Sequence, residues 1–169
     1  MDVSDEQQFS DICNCTTSGG ASRRQGVDLE ATVRATDAVR VNVNWTFNDA
    51  KYRHFVTEDG ETLTDEVRVF NTARYVGAAA VTVAPPTAPW ALRVSGNVVG
   101  PYTPFDEEPG FELPAYGLMH VAGTWRVARA QLELGLRNIF DRTYPELEAG
   151  GFVSPGQPRS VYGGIGYTF

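Results

Sequence analysis

The sequence predicts an all-β protein whose long antiparallel strands cross a membrane as a β-barrel. Three observations lead to this fold class. Apolar and polar residues alternate over stretches longer than the usual five or six residues of a globular strand. The connections between these stretches are short and long in turn, as in transmembrane barrels. The composition, with 17 glycines and 10 prolines in 169 residues, is typical of strands and turns rather than of helices.

The clearest alternation lies in the segment "VRVNVNWTFN", where every second residue from Val39 to Phe47 is apolar and the residues between them are polar. We predict this segment as a strand and find the same period of two in six others. These six lie at 26–35, 75–83, 90–98, 115–127, 131–140 and 160–169. A segment around 5–12 is predicted as an eighth strand. Each strand therefore has one apolar face and one polar face, and the polar faces carry Glu30, Arg34, Arg40, Arg93, Glu133 and Arg137.

The predicted connections fall into two groups by length. Short turns are expected at 36–38, 85–89 and 128–130, and longer connections at 13–23, 49–72, 101–114 and 141–158. In transmembrane barrels the short turns face the periplasm and the long loops face outward. Eight such strands would leave both chain ends on the short-turn side, and aromatic residues near the strand ends would form the interfacial girdle.

Other classes of protein fit the sequence less well. A soluble β-sandwich also alternates, but its strands are shorter and its loops do not differ systematically in length. No run of eighteen apolar residues exists for a transmembrane helix, and the opening "MDVSDEQQFS" lacks the apolar core of a signal peptide. The net charge of −7 argues against nucleic acid as a partner. We find no motif for catalysis, so we expect no enzymatic activity, no cofactor and no metal site.

Two segments near the C-terminus resemble the end of a known family. "LRNIFDRTYPE" (136–146) followed by "SPGQPRSVYGGIGYTF" (154–169) is similar to the end of a TonB-dependent outer-membrane receptor. Such receptors finish with an Asn-Leu-Phe-Asp-x-x-Tyr segment, a loop, Pro-Gly-x-Pro-Arg and an aromatic-terminated strand. "ASRRQGVDLEATVRAT" and the following "VNWTFNDAKY" resemble an internal hairpin of the same family. The resemblance extends over 22–169 and is strongest at the C-terminal end.

The resemblance implies that residues 1–169 are the C-terminal β-barrel region of a siderophore-type receptor, without the plug domain and the N-terminal strands. The whole barrel would have about twenty-two strands and would lie in the bacterial outer membrane. Its function would be TonB-dependent uptake of a ferric siderophore or a similar bulky solute, with TonB acting only through the plug region. The alternative is a small standalone eight-stranded barrel with a structural or pore role. Expected partners are outer-membrane lipid and the barrel-assembly machinery.

Residues for contact with a solute are expected on the outer loops, because aromatic rings and guanidinium groups suit an anionic ferric chelate. The candidates are Tyr52, Arg53, His54, Tyr102, Phe105, Arg142 and Tyr144. The same residues could instead anchor the membrane interface or pack the loops. Asn138 and Asp141 are predicted to fix the entrance of a loop, because short polar side chains cap turns.

The last strand has a further expected role. In outer-membrane proteins an aromatic-terminated final strand is the signal for the barrel-assembly machinery, and the resemblance assigns this signal to Tyr162, Gly164, Tyr167 and Phe169. The role of Cys13 and Cys15 stays open. A disulfide between residues two apart is strained, and two thiols without a nearby histidine are weak evidence for zinc.

Overall fold

A computed structural model of the chain describes residues 1–10, 15–56, 62–63, 67–104, 111–149 and 152–168. In these segments every regular element is a β-strand, which confirms the predicted all-β class. None of the described segments contains a helix long and apolar enough to span a membrane. The strands are β1 (Asp2–Ser10), β2 (Cys15–Arg34), β3 (Val39–Val56), β4 (Thr62–Leu63), β5 (Tyr75–Val83), β6 (Trp90–Val99), β7 (Tyr116–Val127), β8 (Ala130–Arg137), β9 (Pro145–Ala149), β10 (Phe152–Pro155) and β11 (Ser160–Tyr167).

The main sheet is an open antiparallel meander. Its strands lie in the order β1-β2-β3-β5-β6-β7-β8-β11, the short strand β4 pairs with β3, and β9 pairs with β10 in a separate hairpin. No ladder joins β1 to β11 within the described segments, so the sheet has two edges. The closed form that a standalone eight-stranded barrel requires is therefore not formed.

The strand register confirms the predicted apolar face. Phe47 lies opposite Val27 on one side and Tyr75 on the other, and Trp45 lies opposite Leu29 in the same way. This face has no second sheet over it: Val27 is 68% exposed and Ile165 is 79% exposed. Because a β-sandwich would bury these side chains, the exposed apolar face argues against the soluble sandwich.

One glycine on the apolar face makes room for a large ring. A side chain at position 77 would overlap the indole of Trp45, which lies across the backbone of β5 at that point. The indole stacks on the ring of Tyr75, with centroids 5.4 Å apart and planes at 13°. The absence of a side chain at Gly77 therefore allows the two aromatic rings to lie flat against the sheet.

The opposite face of the sheet is polar, as predicted. The side chains of Asn42 and Thr32 are joined by a 2.8 Å hydrogen bond, and the hydroxyl of Thr46 donates to Asp28 at 2.6 Å. These contacts cross the β2–β3 ladder on the face that also carries Glu30, Arg34 and Arg40. We refer below to the apolar face and the polar face of the sheet.

The structure corrects two of the predicted loops, 13–23 and 49–72. Strand β2 begins at Cys15 and β3 ends at Val56, so both strands extend far beyond the membrane-spanning pattern. The extension of β3 is stabilised by backbone hydrogen bonds from Tyr52 to the Val67 carbonyl and from Val69 to the Ala50 carbonyl. The alternation gave no sign of this extension, because its partners lie in another part of the chain.

Two further predictions are corrected. The predicted strand at 5–12 exists as β1, but it pairs with residues 15–23 of β2, beyond the apolar band of the sheet. Met1 therefore lies beside Arg24, where the two backbones exchange hydrogen bonds, and not on the short-turn side with Thr168. The predicted loop 141–158 contains the β9–β10 hairpin.

Cys13 lies outside the described residues, and of Cys15 only the backbone, at the start of β2, is described.

Candidate functional site

Asn138 holds the entrance of the connection between β8 and β11. Its φ of 48° is left-handed, a conformation that asparagine tolerates well. Its side-chain nitrogen donates to the carbonyl oxygens of Arg142 (2.8 Å) and Gln157 (3.1 Å), and its side-chain oxygen accepts from the backbone nitrogen of Arg142 at 2.9 Å. The residue is 3% exposed. Because one amide bonds both arms of the connection, Asn138 fixes the loop entrance as predicted.

Asp141 and Tyr144 join the same two arms. The carboxylate of Asp141 accepts a hydrogen bond from the backbone nitrogen of Arg159 at 2.7 Å and lies 4.0 Å from its guanidinium. The ring of Tyr144 packs on Gly156, where any side chain would overlap it, and the Tyr144 carbonyl accepts from the Gly156 nitrogen at 2.8 Å. These contacts therefore join the two parts of the C-terminal motif, the segments 136–146 and 154–169.

His120 connects this loop entrance to the polar face. Its Nδ1 accepts a hydrogen bond from the backbone nitrogen of Asn138 at 3.2 Å. In the neutral ring the proton then resides on Nε2, which donates to the side-chain oxygen of Asn97 at 3.1 Å. The imidazole thus links β6, β7 and the end of β8 with both of its nitrogens.

An aromatic cluster lies at the long-loop end of the polar face. The rings of Tyr116 and Tyr144 have centroids 4.9 Å apart, and Tyr102, which forms an isolated bridge with Leu113, lies on the connection that leads into β7. The guanidinium of Arg142 donates to the carbonyl of Ala115 at 3.2 Å, directly beside these rings. We call Tyr102, Tyr116, Arg142 and Tyr144 the tyrosine rim. Its ring faces and its cation can stack on, or pair with, a planar anionic ligand.

The tyrosine rim contains three of the predicted candidates, Tyr102, Arg142 and Tyr144, and one residue that is not among them. Tyr116 is one of the aromatic residues near strand ends that the sequence predicts in the interfacial girdle. The period of two could have identified its position, because Tyr116 is four residues from His120 and therefore lies on the same face of β7. That face is the polar face, where Tyr116 lies opposite Val99. An aromatic residue on the polar face of a barrel strand points toward the barrel interior rather than outward.

The remaining candidates lie apart from the rim. Tyr52 is 5% exposed and packs among Ala50, Val69 and Phe70, so it belongs to loop packing. Arg53 is exposed and forms a 3.4 Å ion pair with Asp2, and His54 is exposed. Strands β5 and β6 separate β3, which carries these residues, from β7, which carries Tyr116. Phe105 lies outside the described residues.

The terminal strand places the predicted assembly-signal residues on both faces. Tyr162 lies on the polar face, where its ring covers Gly135 and the guanidinium of Arg137 lies 4.8 Å from the ring centroid. Tyr167 is 57% exposed on the apolar face, and Gly164 has open space above it. Phe169 lies outside the described residues. The role of these residues in assembly stays a prediction.

The polar face below the rim is lined by amides and hydroxyls. A shallow depression of about 240 Å³ lies between Asn42, Asn44, Arg93, Ser95, Asn97 and His120. Within the described residues no group of three or more His, Cys, Asp or Glu side chains is arranged to hold a metal ion.

Comparison with known proteins identifies the sheet. The family model described as TonB dependent receptor-like, beta-barrel, matches residues 1–139, which is most of the chain. The chain belongs to this family. Members are transport receptors in the outer membrane of Gram-negative bacteria, so the apolar face of the sheet lies against that membrane and the polar face toward the barrel interior. The match ends at 139, so the C-terminal motif on which the sequence resemblance relied most lies largely beyond it.

The proteins similar to this TonB-dependent receptor segment include receptors named for metal-containing solutes. The metal-pseudopaline receptor CntO of Pseudomonas aeruginosa is 29% identical over 148 residues, which cover 84% of this chain and 20% of that receptor. The ferric yersiniabactin uptake receptor FyuA from Yersinia pestis superposes with a TM-score of 0.72 at 20% identity, over 97% of this chain and 25% of that one.

A further solved structure has the same fold. The closed form of the ferric-catecholate import receptor Fiu from Escherichia coli K12 gives a TM-score of 0.70 at 17% identity, over 97% of this chain and 23% of Fiu. The chain therefore spans about a quarter or less of the length of these relatives, and its open sheet corresponds to a sector of their larger barrels.

Proposed function

We propose that this chain lines one side of the outer part of a path by which a TonB-dependent receptor takes up a metal chelate, such as a ferric siderophore. The observation that carries the proposal is the tyrosine rim, which combines aromatic faces with a guanidinium where the polar face meets the long loops. Energy from TonB would reach the solute through a plug region that these residues do not include. The proposal contains no catalytic step.

The chemistry of the rim favours an anionic chelate with planar aromatic groups over a small neutral solute. Tyr116 and Tyr144 offer ring faces for stacking, and Arg142 is exposed and always charged. The backbone of the loop entrance is already fixed by Asn138, so little loop ordering is needed when the ligand binds. The metal chelates in the names of CntO, FyuA and Fiu agree with this ligand class.

The test is binding of a ferric tris-catecholate chelate to the full chain in detergent micelles, followed by fluorescence quenching. We expect Arg142→Gln to weaken binding about tenfold, because a charge contact of about 1.4 kcal/mol corresponds to that factor. Arg53→Gln is the matched control, since it removes one exposed arginine away from the rim. Equal weakening by both variants, or no binding by the unmodified chain, would contradict the proposal.

We also propose that outer-membrane lipid and the barrel-assembly machinery are partners of the chain. The continuous apolar face supports the first partner, and the aromatic end of β11 supports the second. In this proposal Tyr167 and Phe169 bind the barrel-assembly machinery, while Tyr162 and Gly164 lie on the inner surface of the barrel.

A further inference from the structure

The apolar face of the sheet carries a groove of about 400 Å³ at the short-turn end of β6, β7 and β8. Its floor is Gly123, which lies opposite Leu92 on β6 and opposite Leu134 on β8. A Cβ atom placed on Gly123 would meet no described atom beyond the adjacent residues closer than the Ala91 carbonyl oxygen, at 4.0 Å, so the space above it is open. We call this feature the Gly123 groove, and its main lining residues are Trp90, Leu92, Gly123, Trp125, Leu132 and Leu134.

The width of the Gly123 groove suits one hydrocarbon chain. Adjacent strands are about 4.8 Å apart, so the backbones that carry Leu92 and Leu134 are about 10 Å apart, with Gly123 midway between them. Carbon atoms in contact are about 4 Å apart. A single column of methylene groups above Gly123 would therefore contact both leucine side chains, which are exposed in the chain alone.

Two tryptophans lie at the end of the groove that is nearer to the short turns. Trp90 is the first residue of β6 and lies opposite Trp125 on β7. Neither indole N–H donates a hydrogen bond to another described residue. Tryptophan is enriched at the membrane–water interface, where its ring lies among apolar groups and its N–H contacts polar ones. The ester oxygens of a phospholipid lie at this depth and can accept hydrogen bonds from both indoles.

A single charged residue lies in the two turns beside the groove. Residues 84–89 join β5 to β6, residues 128–129 join β7 to β8, and Arg129 is the one charged residue among them. Its side chain is exposed, and in the part of the chain that the structure describes it makes no ion pair or side-chain hydrogen bond. A guanidinium group at this position can pair with a phosphate.

We propose that the Gly123 groove binds one anionic phospholipid of the periplasmic leaflet. An acyl chain lies on Gly123, the ester oxygens accept hydrogen bonds from the two indoles, and the phosphate pairs with Arg129. The leaflet follows from the short turns, which face the periplasm in transmembrane barrels. The site rests on the proposed contact of the apolar face with outer-membrane lipid, and it adds one defined position at which a lipid is held.

The test measures quenching of tryptophan fluorescence by phospholipids with brominated acyl chains, in vesicles that contain the folded full chain. The variant Trp45→Phe serves as the background, because it leaves only Trp90 and Trp125 as reporters. Quenching by brominated phosphatidylglycerol should reach a plateau at a low mole fraction. Its association constant should exceed that of brominated phosphatidylcholine about fivefold, the effect of one basic residue near an anionic headgroup. Arg129→Gln should remove this preference.

A side chain in the groove tests the position of the acyl chain. Gly123→Leu fills the open space and should lower the association constant at least tenfold, because the lost burial of two methylene groups corresponds to about that factor. Gly117→Leu is the matched control on the same strand and the same face, where a Cβ atom would meet only the Asn97 carbonyl oxygen, at 3.5 Å. This control lies toward the long loops and should change the constant less than about twofold.

The outcomes separate the site from the lipid contact on which it rests. Circular dichroism shows whether each variant is folded. An equal loss in Gly117→Leu, no loss in Gly123→Leu, or quenching that rises linearly and equally for both lipids would overturn the bound phospholipid, although the apolar face would still contact lipid. No quenching of Trp90 and Trp125 by either lipid would mean that another protein chain covers the groove, and would contradict the proposed lipid contact as well.

Discussion

Replacing Asn138 with alanine removes three side-chain hydrogen bonds from a residue that is 3% exposed. The carbonyl oxygens of Arg142 and Gln157 lose their partners, which costs about 1 to 3 kcal/mol, and alanine at a left-handed φ costs about 1 to 2 kcal/mol more. We therefore expect the free energy of unfolding to fall by about 3 kcal/mol. Urea unfolding in detergent micelles, followed by circular dichroism, measures the change.

Asn71 provides the matched control for this prediction. Its φ of 52° is also left-handed, but its side chain is exposed and makes none of these bonds. Asn71→Ala should lower the free energy of unfolding by about 1 kcal/mol, the backbone part alone. A loss at Asn138 no larger than at Asn71 would mean that the amide does not hold the loop entrance.

Two tyrosines show where the sequence could not separate a ligand-site candidate from a residue that packs a loop. Tyr52 and Tyr144 both follow predicted strands and both suit a ligand site by residue type. Only the fold separates them, because Tyr52 is buried by Val69 and Phe70, which come from a distant part of the loop. The role of Asn138, by contrast, was predictable from the residue itself, since asparagine both tolerates a left-handed φ and bonds nearby backbone.

Strand β3 tests the assignment of the two faces, since neighbouring residues point to opposite sides. Val43 lies on the apolar face, opposite Ala31 and Ala79, and Asn44 lies on the polar face, opposite Glu30. We expect Val43→Arg to lower the stability of the folded chain in lipid by about 2 to 4 kcal/mol, because its charge would lie near the middle of the membrane. Asn44→Arg should be tolerated, because its guanidinium faces water and Glu30.

Folding into lipid vesicles over a range of urea concentrations measures both variants under the same conditions. Equal destabilisation by the two substitutions, or greater loss for the variant at Asn44, would contradict the assignment of the faces. The pair is informative because the residues are adjacent in sequence, so their depth in the membrane differs little.

Strand positions were well predicted from sequence at the level of the element, but strand ends were not. The period of two gave the apolar face of β3, β5, β6 and β7, because lipid and water impose it along their length. Beyond the membrane that constraint ends. The ends of β2 and β3 depend instead on pairing with β1 and on the contact of Ala50 with Val69, neither of which leaves a pattern in the sequence.

At the scale of the whole molecule, the two edges of the sheet do not meet. Strand β1 pairs with residues 15–23 of β2, so residues 25–34 of β2 have no partner on their outer side within the described chain. The opposite edge is β11, which pairs with all of β8 from Arg137 to Ala130. Closing the sheet would require β11 to pair with residues 25–34 of β2, and no ladder joins these two strands in the described part of the chain.

Unpaired backbone groups are costly in an apolar medium, so both edges should seek partners in other chains. We therefore expect the full chain in detergent micelles to form species of two or more copies rather than closed monomers. Sedimentation with density matching gives the number of chains, and gel mobility with and without boiling shows whether a folded species is present. A compact monomer that migrates faster before boiling would mean that β11 pairs with β2, and would favour the standalone barrel over the sector of a larger one.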